Sequence, residues 1–369
     1  MLFSLFELAA SKFVRNASLV SRYSSYIPAH LYPSLLKISI RNGCFLSTRI
    51  FYLYWPFKDF SFSSCALFGE ENAILLAKCL EKNHTEISQV DLTNCQIGVH
   101  GTRCFLLLVA GKPLPDAKNY LPIDMKPITR LELSKVGSNV KILSIKIDCY
   151  VDRDTWPLLE DILEQKAKVH NLVVTHFRAI ELHEAQIQYI LKMLGRIQNK
   201  ELNGINIRCN WVRGGSRLRG HFKKFTNLSY LNLSMTALYC NIILDILREI
   251  TSPLKHLNLN GCNLMRHGDK LSEMAGLPST HKLEYLQMGS NGITSIDSLL
   301  PLLKWCKETL VKLRLHGNRL KDDSIQKILS LFRPPFCLDE LHLQENFFSD
   351  DSNSLLKNMT KLSKTTVLV

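Results

Sequence analysis

The sequence predicts an α/β solenoid, in which stacked units each contribute one short strand and one helical segment. Five copies of the pattern Leu-x-x-Leu-x-Leu-x-x-(Asn/Cys/Thr)-x-Leu occur, and the last ends at Phe348. The copies follow one another at intervals of 26 to 29 residues. They begin at Leu228, Leu254, Leu283, Leu310 and Leu338. This pattern and this interval are those of the leucine-rich repeat.

Each copy opens with an alternation that indicates a strand. In the fourth copy Leu313 and Leu315 flank Arg314, so the leucines and the polar residue point to opposite sides. The ninth position of three copies is an asparagine, whose amide can bond the backbone of the turn leaving the strand. These residues are Asn291, Asn318 and Asn346. Apolar residues at helical spacing follow, so we expect a curved parallel sheet on the concave face and helices on the convex face.

Weaker copies extend the predicted array towards the N-terminus. They begin at Leu202, Val169 and Ile87, and Val140 to Tyr150 alternates apolar with polar residues. A helix is predicted to begin at Trp156, where Pro follows. We therefore divide the chain into three parts. These are an N-terminal helical cap over residues 1–60, degenerate repeats over residues 61–200 and regular repeats over residues 201–369.

Composition predicts a large apolar core and no membrane-spanning segment. Hydrophobic residues make up 46% of the 369 residues, yet no apolar run approaches the ~18 residues of a membrane helix. The eleven cysteines lack C-x-x-C spacing, which is typical of a reducing compartment. We expect a cytoplasmic location, with the nucleus as a second one; a secreted, disulfide-capped repeat protein is the alternative. Residues 1–34 also have the composition of a mitochondrial presequence.

Catalytic motifs are missing from the sequence. It contains no phosphate-binding Gly-Lys-Ser/Thr, no nucleophile elbow and no dinucleotide fingerprint. Asp322 and Asp323 lack the ligand spacing of a zinc, calcium or two-metal site and are better explained as first-turn acids of a helix. We therefore expect a non-enzymatic interaction protein that needs no cofactor and no metal.

Polar residues between the inward leucines predict a partner-binding surface on the concave face. Tyr, His, Arg and Asn supply contact area and directed hydrogen bonds at protein interfaces. The candidate contact residues are Asn206, Tyr230, Asn232, His256, Asn258, Tyr285, Gln287, Lys312, Arg314 and His342. A row of amides that only solvates the sheet is the alternative interpretation.

The net charge of +13 is concentrated in one Gly-containing segment. Its basic residues are Arg208, Arg213, Arg217, Arg219, Lys223 and Lys224. Trp211, Phe222 and Phe225 interleave with them, as a base-stacking surface would require. The segment is too irregular for a repeat helix, so a solvated loop is favoured. Nucleic-acid binding is the less favoured interpretation, and a contribution to nuclear import is a third.

The chain resembles a known family at both ends. The stretches SLFELAASKFV, IPAHLYPSLLKISI and YLYWPF resemble the opening of PRAME-family proteins. The repeats SPLKHLNLNGCNL and TLVKLRLHGNRL are similar to the C-terminal repeats of that family. The resemblance covers nearly the whole chain in order, and its most specific element is the Trp55-Pro56-Phe57 segment.

This resemblance implies two binding segments near the N-terminus. One is an elongin-binding box, a Leu-x-x-x-(Cys/Ala)-x-x-x-apolar pattern whose residues share one helix face. Its residues are Leu5, Ala9 and Phe13. The other is a short apolar-Pro-x-x-apolar box for a cullin, formed by Ile27, Pro28 and Leu31. The elongin box begins so near Met1 that we expect little chain to cap its helix.

The function that the resemblance implies is substrate recognition in an elongin–cullin–RING ubiquitin ligase. Elongin B/C and a cullin would be the partners, and other subunits would supply the chemistry. One alternative is that the N-terminal helices only close the open edge of the first repeat. A second is a non-degradative binding protein that masks a partner in an NF-κB-type signalling pathway.

Overall fold

The computed structural model describes residues 4–81, 87–115, 143–165, 171–198, 200–331, 338–354, 356 and 366–368. Val140 and Val169, which belong to the weaker predicted copies, lie outside the described residues. The chain divides into two compact units, Met1–Thr175 and His176–Val369.

The first unit joins an N-terminal helical region to parallel strands. Its helices are α1 (Leu5–Val14), α2 (Ala17–Tyr23), α3 (Tyr32–Arg41), α4 (Phe45–Leu53), α5 (Gly69–Glu81), α6 (Gly98–Ala110) and α7 (Trp156–Glu164). Its strands are β1 (Asp59–Ser61), β2 (Gln89–Leu92), β3 (Ser144–Val151) and the first residues of β4 (Leu172–Ala179). β1, β2 and β3 pair side by side and parallel. The helix predicted to begin at Trp156 is confirmed.

Helix α1 begins with a capping box. The Ser4 hydroxyl accepts a hydrogen bond from the Glu7 backbone N–H at 3.2 Å, and the Glu7 carboxylate accepts one from the Ser4 N–H at 3.0 Å. The expectation that this helix lacks chain to cap it was therefore wrong, because a single residue before the helix is sufficient. Ala10 and Val14 are buried on the side of α1 that packs on its neighbours, α2 and α3.

Trp55 lies at the centre of an aromatic cluster where α4 leads into β1. Its indole N–H donates to the Asp59 carbonyl at 3.0 Å. The ring centroids of Trp55 and Phe60 are 5.0 Å apart, and the Tyr32 ring meets Trp55 edge-on at 6.3 Å. Of the Trp-Pro-Phe segment, Trp55 is thus part of the core of the first unit, whereas Pro56 and Phe57 are exposed.

The second unit repeats one short parallel strand. The strands of its main sheet, in spatial order after β4, are β5 (Gly204–Asn206), β7 (Tyr230–Asn232), β9 (His256–Asn258), β10 (Tyr285–Gln287), β11 (Lys312–Arg314), β12 (Glu340–His342) and β13 (Thr366–Leu368). A separate parallel pair consists of β6 (Arg213–Gly214) and β8 (Ala237–Leu238). The helices are α8 (Glu184–Ile197), α9 (Cys240–Glu249), α10 (Leu300–Cys306) and α11 (Asp322–Leu331). The predicted α/β leucine-rich-repeat fold is confirmed.

The expectation of one helix in every repeat was wrong between β9 and β10, where the chain forms a 3-10 segment, Leu264–Met274. Between β5 and β7, where the sequence favours a loop over a repeat helix, the chain forms β6 and the short 3-10 turns Ser216–Leu218 and Phe222–Lys224. Gly214 and Gly215 in this stretch both adopt a φ of 76°, which a helix cannot contain. The helical spacing of apolar residues therefore did not distinguish an α-helix from the 3-10 segment between β9 and β10.

Buried asparagines connect the turns of neighbouring repeats. The Asn318 amide oxygen accepts hydrogen bonds from the N–H groups of Asn291 at 3.0 Å and Ile293 at 3.1 Å. Its amide nitrogen donates to the carbonyls of Met288 at 3.0 Å and Leu315 at 2.9 Å. One side chain thus pairs four backbone groups from two repeats. The predicted role of the ninth position is confirmed, and its other occupants with such bonds are Asn210, Asn291 and Asn346.

We predict that Asn318→Ala lowers the free energy of unfolding by about 3 kcal/mol, because it leaves buried backbone groups without partners. Urea denaturation followed by circular dichroism measures the change. Asn227→Ala is the matched control, since the exposed Asn227 amide makes a single bond to the Lys200 carbonyl; it should shift the free energy by less than about 0.5 kcal/mol. Equal losses in the two variants would contradict the account.

Candidate partner-binding face

The central leucine of each strand in the second unit points into the core. Leu231, Leu257, Leu286, Leu313 and Leu341 are all buried. They lie opposite one another in the strand register. Because successive side chains of a strand point to opposite faces, the residues on either side of each leucine share the other face.

Two columns of side chains result from this register. We call the first the aromatic column; it contains His176, Gly204, Tyr230, His256, Tyr285, Lys312 and Glu340. We call the second the amide column; it contains Arg178, Asn206, Asn232, Asn258, Gln287, Arg314 and His342. The alignment of all ten predicted contact residues in these columns agrees with the sequence analysis.

A third column lies one step further along each strand. We call it the edge column; it contains Arg208, Ser234, Asn260, Gly289, His316 and Gln344. Backbone bonds join the residue after one member to the carbonyl of the next member, as in Met235 N–H to the Asn260 carbonyl at 2.8 Å. The three columns together form what we call the polar face of the second unit. Four members of the polar face were not predicted as contact residues. Arg178 is the register partner of the predicted Asn206, and His176 precedes Arg178 by two residues. His316 and Gln344 follow the predicted Arg314 and His342 by two residues.

The aromatic column is a continuous stack. The His256 and Tyr285 rings lie parallel, with centroids 4.1 Å apart and an angle of 7° between them. Tyr230 leans on His256 at 5.8 Å, and the Lys312 ammonium lies 5.6 Å from the Tyr285 ring centroid. Burial is the main reason why the pKa of His256 is lowered, so its imidazole is uncharged at neutral pH. The stack is a preordered, amphipathic surface of the kind that forms interface hot spots.

An ion pair ends the stack. The Lys312 ammonium lies 2.7 Å from the Glu340 carboxylate, which also lies 3.1 Å from the His342 imidazole. Its hydrogen bond with Lys312, followed by that with His342, holds the pKa of Glu340 below its usual range. At the other end Gly204 leaves space for the His176 ring, since a Cβ there would come within 2.0 Å of it.

One predicted contact residue is not on the surface. Asn232 is 5% exposed, because its amide oxygen accepts from the Ser234 N–H at 3.0 Å and its nitrogen donates to the Tyr230 hydroxyl at 3.3 Å. The expectation that its side chain faces solvent was wrong. Asn258 and Gln287, which are bonded to each other at 3.1 Å, remain partly exposed. The accessible side chains of the amide column therefore lie on either side of Asn232.

The basic segment is not a base-stacking surface. Phe222 and Phe225 are fully buried, while Trp211 is 55% exposed. The expectation that the three aromatics share a surface was therefore wrong, because two of them fill the core beneath the two 3-10 turns. Its basic residues Arg208, Arg213, Arg217, Arg219 and Lys223 are exposed and Lys224 is half-buried. Two contacts hold the segment against α9. Arg219 forms an ion pair with Asp245 at 2.8 Å, and the Phe222 N–H donates a hydrogen bond to the Glu249 carboxylate at 3.1 Å.

The two N-terminal segments occupy α1 and the turn before α3. Leu5 is 85% exposed, Ala9 is exposed and Phe13 is half-buried, so the three residues share a face of α1 that is open to solvent. In the other segment Pro28 is exposed, whereas Ile27 and Leu31 are half-buried around the 3-10 turn Ala29–Leu31.

Buried thiols are held in their neutral form. Burial raises the pKa of Cys95, Cys149 and Cys306 to about 12 each, so these groups are not thiolates at neutral pH. Among the described residues, no three His, Cys, Asp or Glu side chains are grouped to hold a metal ion. Within the same part of the chain, no helix is both long and apolar enough to cross a membrane.

Comparison with solved structures identifies leucine-rich-repeat proteins. An internalin from Listeria monocytogenes is 14% identical, with 81% of this chain and 76% of that chain covered and a TM-score of 0.36. A leucine-rich-repeat protein from Leptospira interrogans is 12% identical, with 88% and 92% covered and a TM-score of 0.30. Both TM-scores are below 0.5, so the fold assignment rests on the strand register and buried asparagines of this chain. No family model and no curated protein matches the sequence.

We predict that Phe222→Ala lowers the free energy of unfolding by about 3–5 kcal/mol, since it leaves a cavity under the basic segment. Trp211→Ala, which removes a larger but mostly exposed side chain from the same segment, should change it by less than about 0.5 kcal/mol. Thermal and urea unfolding of both variants measure the difference. A Trp211 variant that is as unstable as the Phe222 variant would show that the segment packs differently.

Proposed function

We propose that this chain is a PRAME-type substrate receptor, which binds elongin through α1 and a protein substrate through the polar face. The repeat architecture supports the coarser part, a protein-interaction module, because leucine-rich repeats present extended binding surfaces. The observation that carries the finer part is the orientation of α1, whose box residues face solvent while its opposite side is packed.

Helix α1 leaves apolar surface exposed on one side although its other side is packed. Ala10 is 4% exposed and Val14 is fully buried, so the helix is already anchored by one side. Leu5 and Leu8 are nevertheless exposed on the other side, where Ala9 permits close approach of a partner. An anchored helix with an apolar ridge is suited to a partner groove. A helix that only closed the first repeat would bury these leucines.

The cullin-box-like segment would act next to α1. Pro28 is the exposed residue that precedes the 3-10 turn Ala29–Leu31, and Ile27 and Leu31 each keep part of their apolar surface accessible. The polar face of the second unit would bind the substrate. In this function the chain contributes proximity, and the ubiquitin-carrying subunits perform the chemistry.

We predict that Leu5→Ser and Ala9→Phe each reduce co-purified elongin from cells by at least about tenfold, because one removes the apolar ridge and the other fills the space that a partner needs. Leu46→Ser is the control, since Leu46 is a comparably exposed leucine on α4. Quantitative mass spectrometry of the purified complexes gives the ratio.

Two results would decide against the receptor function. Wild-type chain that captures neither elongin nor a cullin would contradict it, as would elongin yields that do not change in the Leu5 and Ala9 variants. Retained capture of other proteins in either case would favour the alternative, a non-degradative binding protein that uses the same polar face.

A further inference from the structure

The polar face carries an excess of positive charge and hydrogen-bond donors. Its cationic members are Arg178, Arg208, Lys312 and Arg314, and its imidazoles are His176, His256, His316 and His342. Among the members of its three columns, Glu340 is the one carboxylate. Since Glu340 is already engaged by Lys312 at 2.7 Å and His342 at 3.1 Å, it is not available to the other cations.

Arg314 carries one of these positive charges at a half-buried position. Within the described residues, its Nε–H is buried without an acceptor, and the Oε1 of Gln344 is buried without a donor. Buried polar atoms in folded proteins nearly always have a partner, so the unpaired Arg314 Nε–H, a donor, indicates a site that an acceptor-bearing ligand completes. The Gln344 oxygen is an acceptor and cannot bond a carboxylate, so Gln344 joins such a site only with its amide turned by 180°, which brings its nitrogen to the position of the oxygen. Arg314 ends β11 and Gln344 lies two residues beyond β12, with His342 opposite Arg314 in the register.

His316 lies beside them in the edge column. It is two residues from Arg314 on the same face, and the Gly317 N–H bonds to the Gln344 carbonyl at 2.9 Å. Gly289 leaves space for its ring, since a Cβ there would come within 2.5 Å of it. Burial first, then the charges of Arg314 and His342, lower the pKa of His316, while Glu345 opposes this shift. The surroundings of His316 thus disfavour a further positive charge.

We propose that Arg314, His316 and Gln344 form a carboxylate-binding site, and that the protein segment bound on the polar face is acidic. This inference rests on the proposed use of that face. The Arg314 guanidinium would donate two hydrogen bonds to the carboxylate, in the geometry that arginine provides and lysine does not. The neutral His316 ring and the Gln344 amide, once rotated, would each donate one more.

The neighbouring aromatic column accounts for the rest of such a segment. Tyr285 and His256 lie next to the site with partly exposed rings stacked on each other, so an apolar or aromatic residue beside the acid can pack against the ring edges. The net charge of +13 also favours the approach of an acidic partner over a basic one.

The test is a selection from a randomised peptide library on the immobilised full chain, followed by affinity measurements on the selected peptides. Wild-type chain should enrich peptides with Asp or Glu at a fixed position. These peptides should lose at least about tenfold in affinity for Arg314→Gln, because charge-assisted hydrogen bonds are lost, and should recover only partly with Arg314→Lys. If Arg314→Gln does not fold, His316→Ala tests the same site.

Arg217→Gln is the matched control, because it removes an exposed cation from the basic segment. It should change the affinity by less than about twofold. Enrichment of neutral or basic peptides, no enrichment at all, or equal losses in the Arg314 and Arg217 variants would overturn the proposal.

A further variant separates this proposal from the use of the face itself. Tyr285→Ala should remove the cellular partners whatever their charge, because it breaks the aromatic column. Partners lost in Tyr285→Ala but retained in Arg314→Gln would show that the face binds proteins without a carboxylate at this site. Partners retained in both variants would contradict the proposed role of the polar face.

Discussion

Hydrogen bonds from buried asparagine side chains to the turns of neighbouring repeats are the constraint on which the second unit depends. Backbone groups in a buried turn must be paired, and the buried Asn291 and Asn318, with the half-buried Asn346, pair them within and between repeats. The turns are thereby held at one spacing, so the strands that precede them stay in register. The buried leucines and the polar columns both follow from that register.

The sequence predicts those parts of the structure that repeat. A leucine at a fixed position has the same surroundings in every copy, so its burial could be inferred from spacing alone. Asn232 and Asn258 look alike in the sequence but differ in exposure, because the Asn232 amide bonds to Ser234 and Tyr230 whereas Asn258 bonds to Gln287. Phe222 was wrongly expected on the surface, because its burial depends on 3-10 turns that no periodic sequence pattern predicts.

The proposed function uses two surfaces that belong to different units. In the first, α1 is anchored by Ala10 and Val14 and leaves its leucines exposed. In the second, the polar face joins an aromatic stack to an arginine whose buried Nε–H has no acceptor among the described residues. Each surface has the physical character of a binding site: one is apolar and anchored, and the other is preordered and positively charged. Neither requires chemistry within this chain.

Cysteine cross-linking tests the register of the polar face most directly. In a Cys209→Ser background, Tyr285→Cys with Lys312→Cys places two thiols on register partners, whose Cα atoms lie ~4.8 Å apart on neighbouring strands. Tyr285→Cys with Arg314→Cys is offset by two residues, or ~8 Å, which exceeds the reach of a disulfide. The account predicts that mild oxidation closes the first pair and not the second. A disulfide in the second pair alone would contradict it.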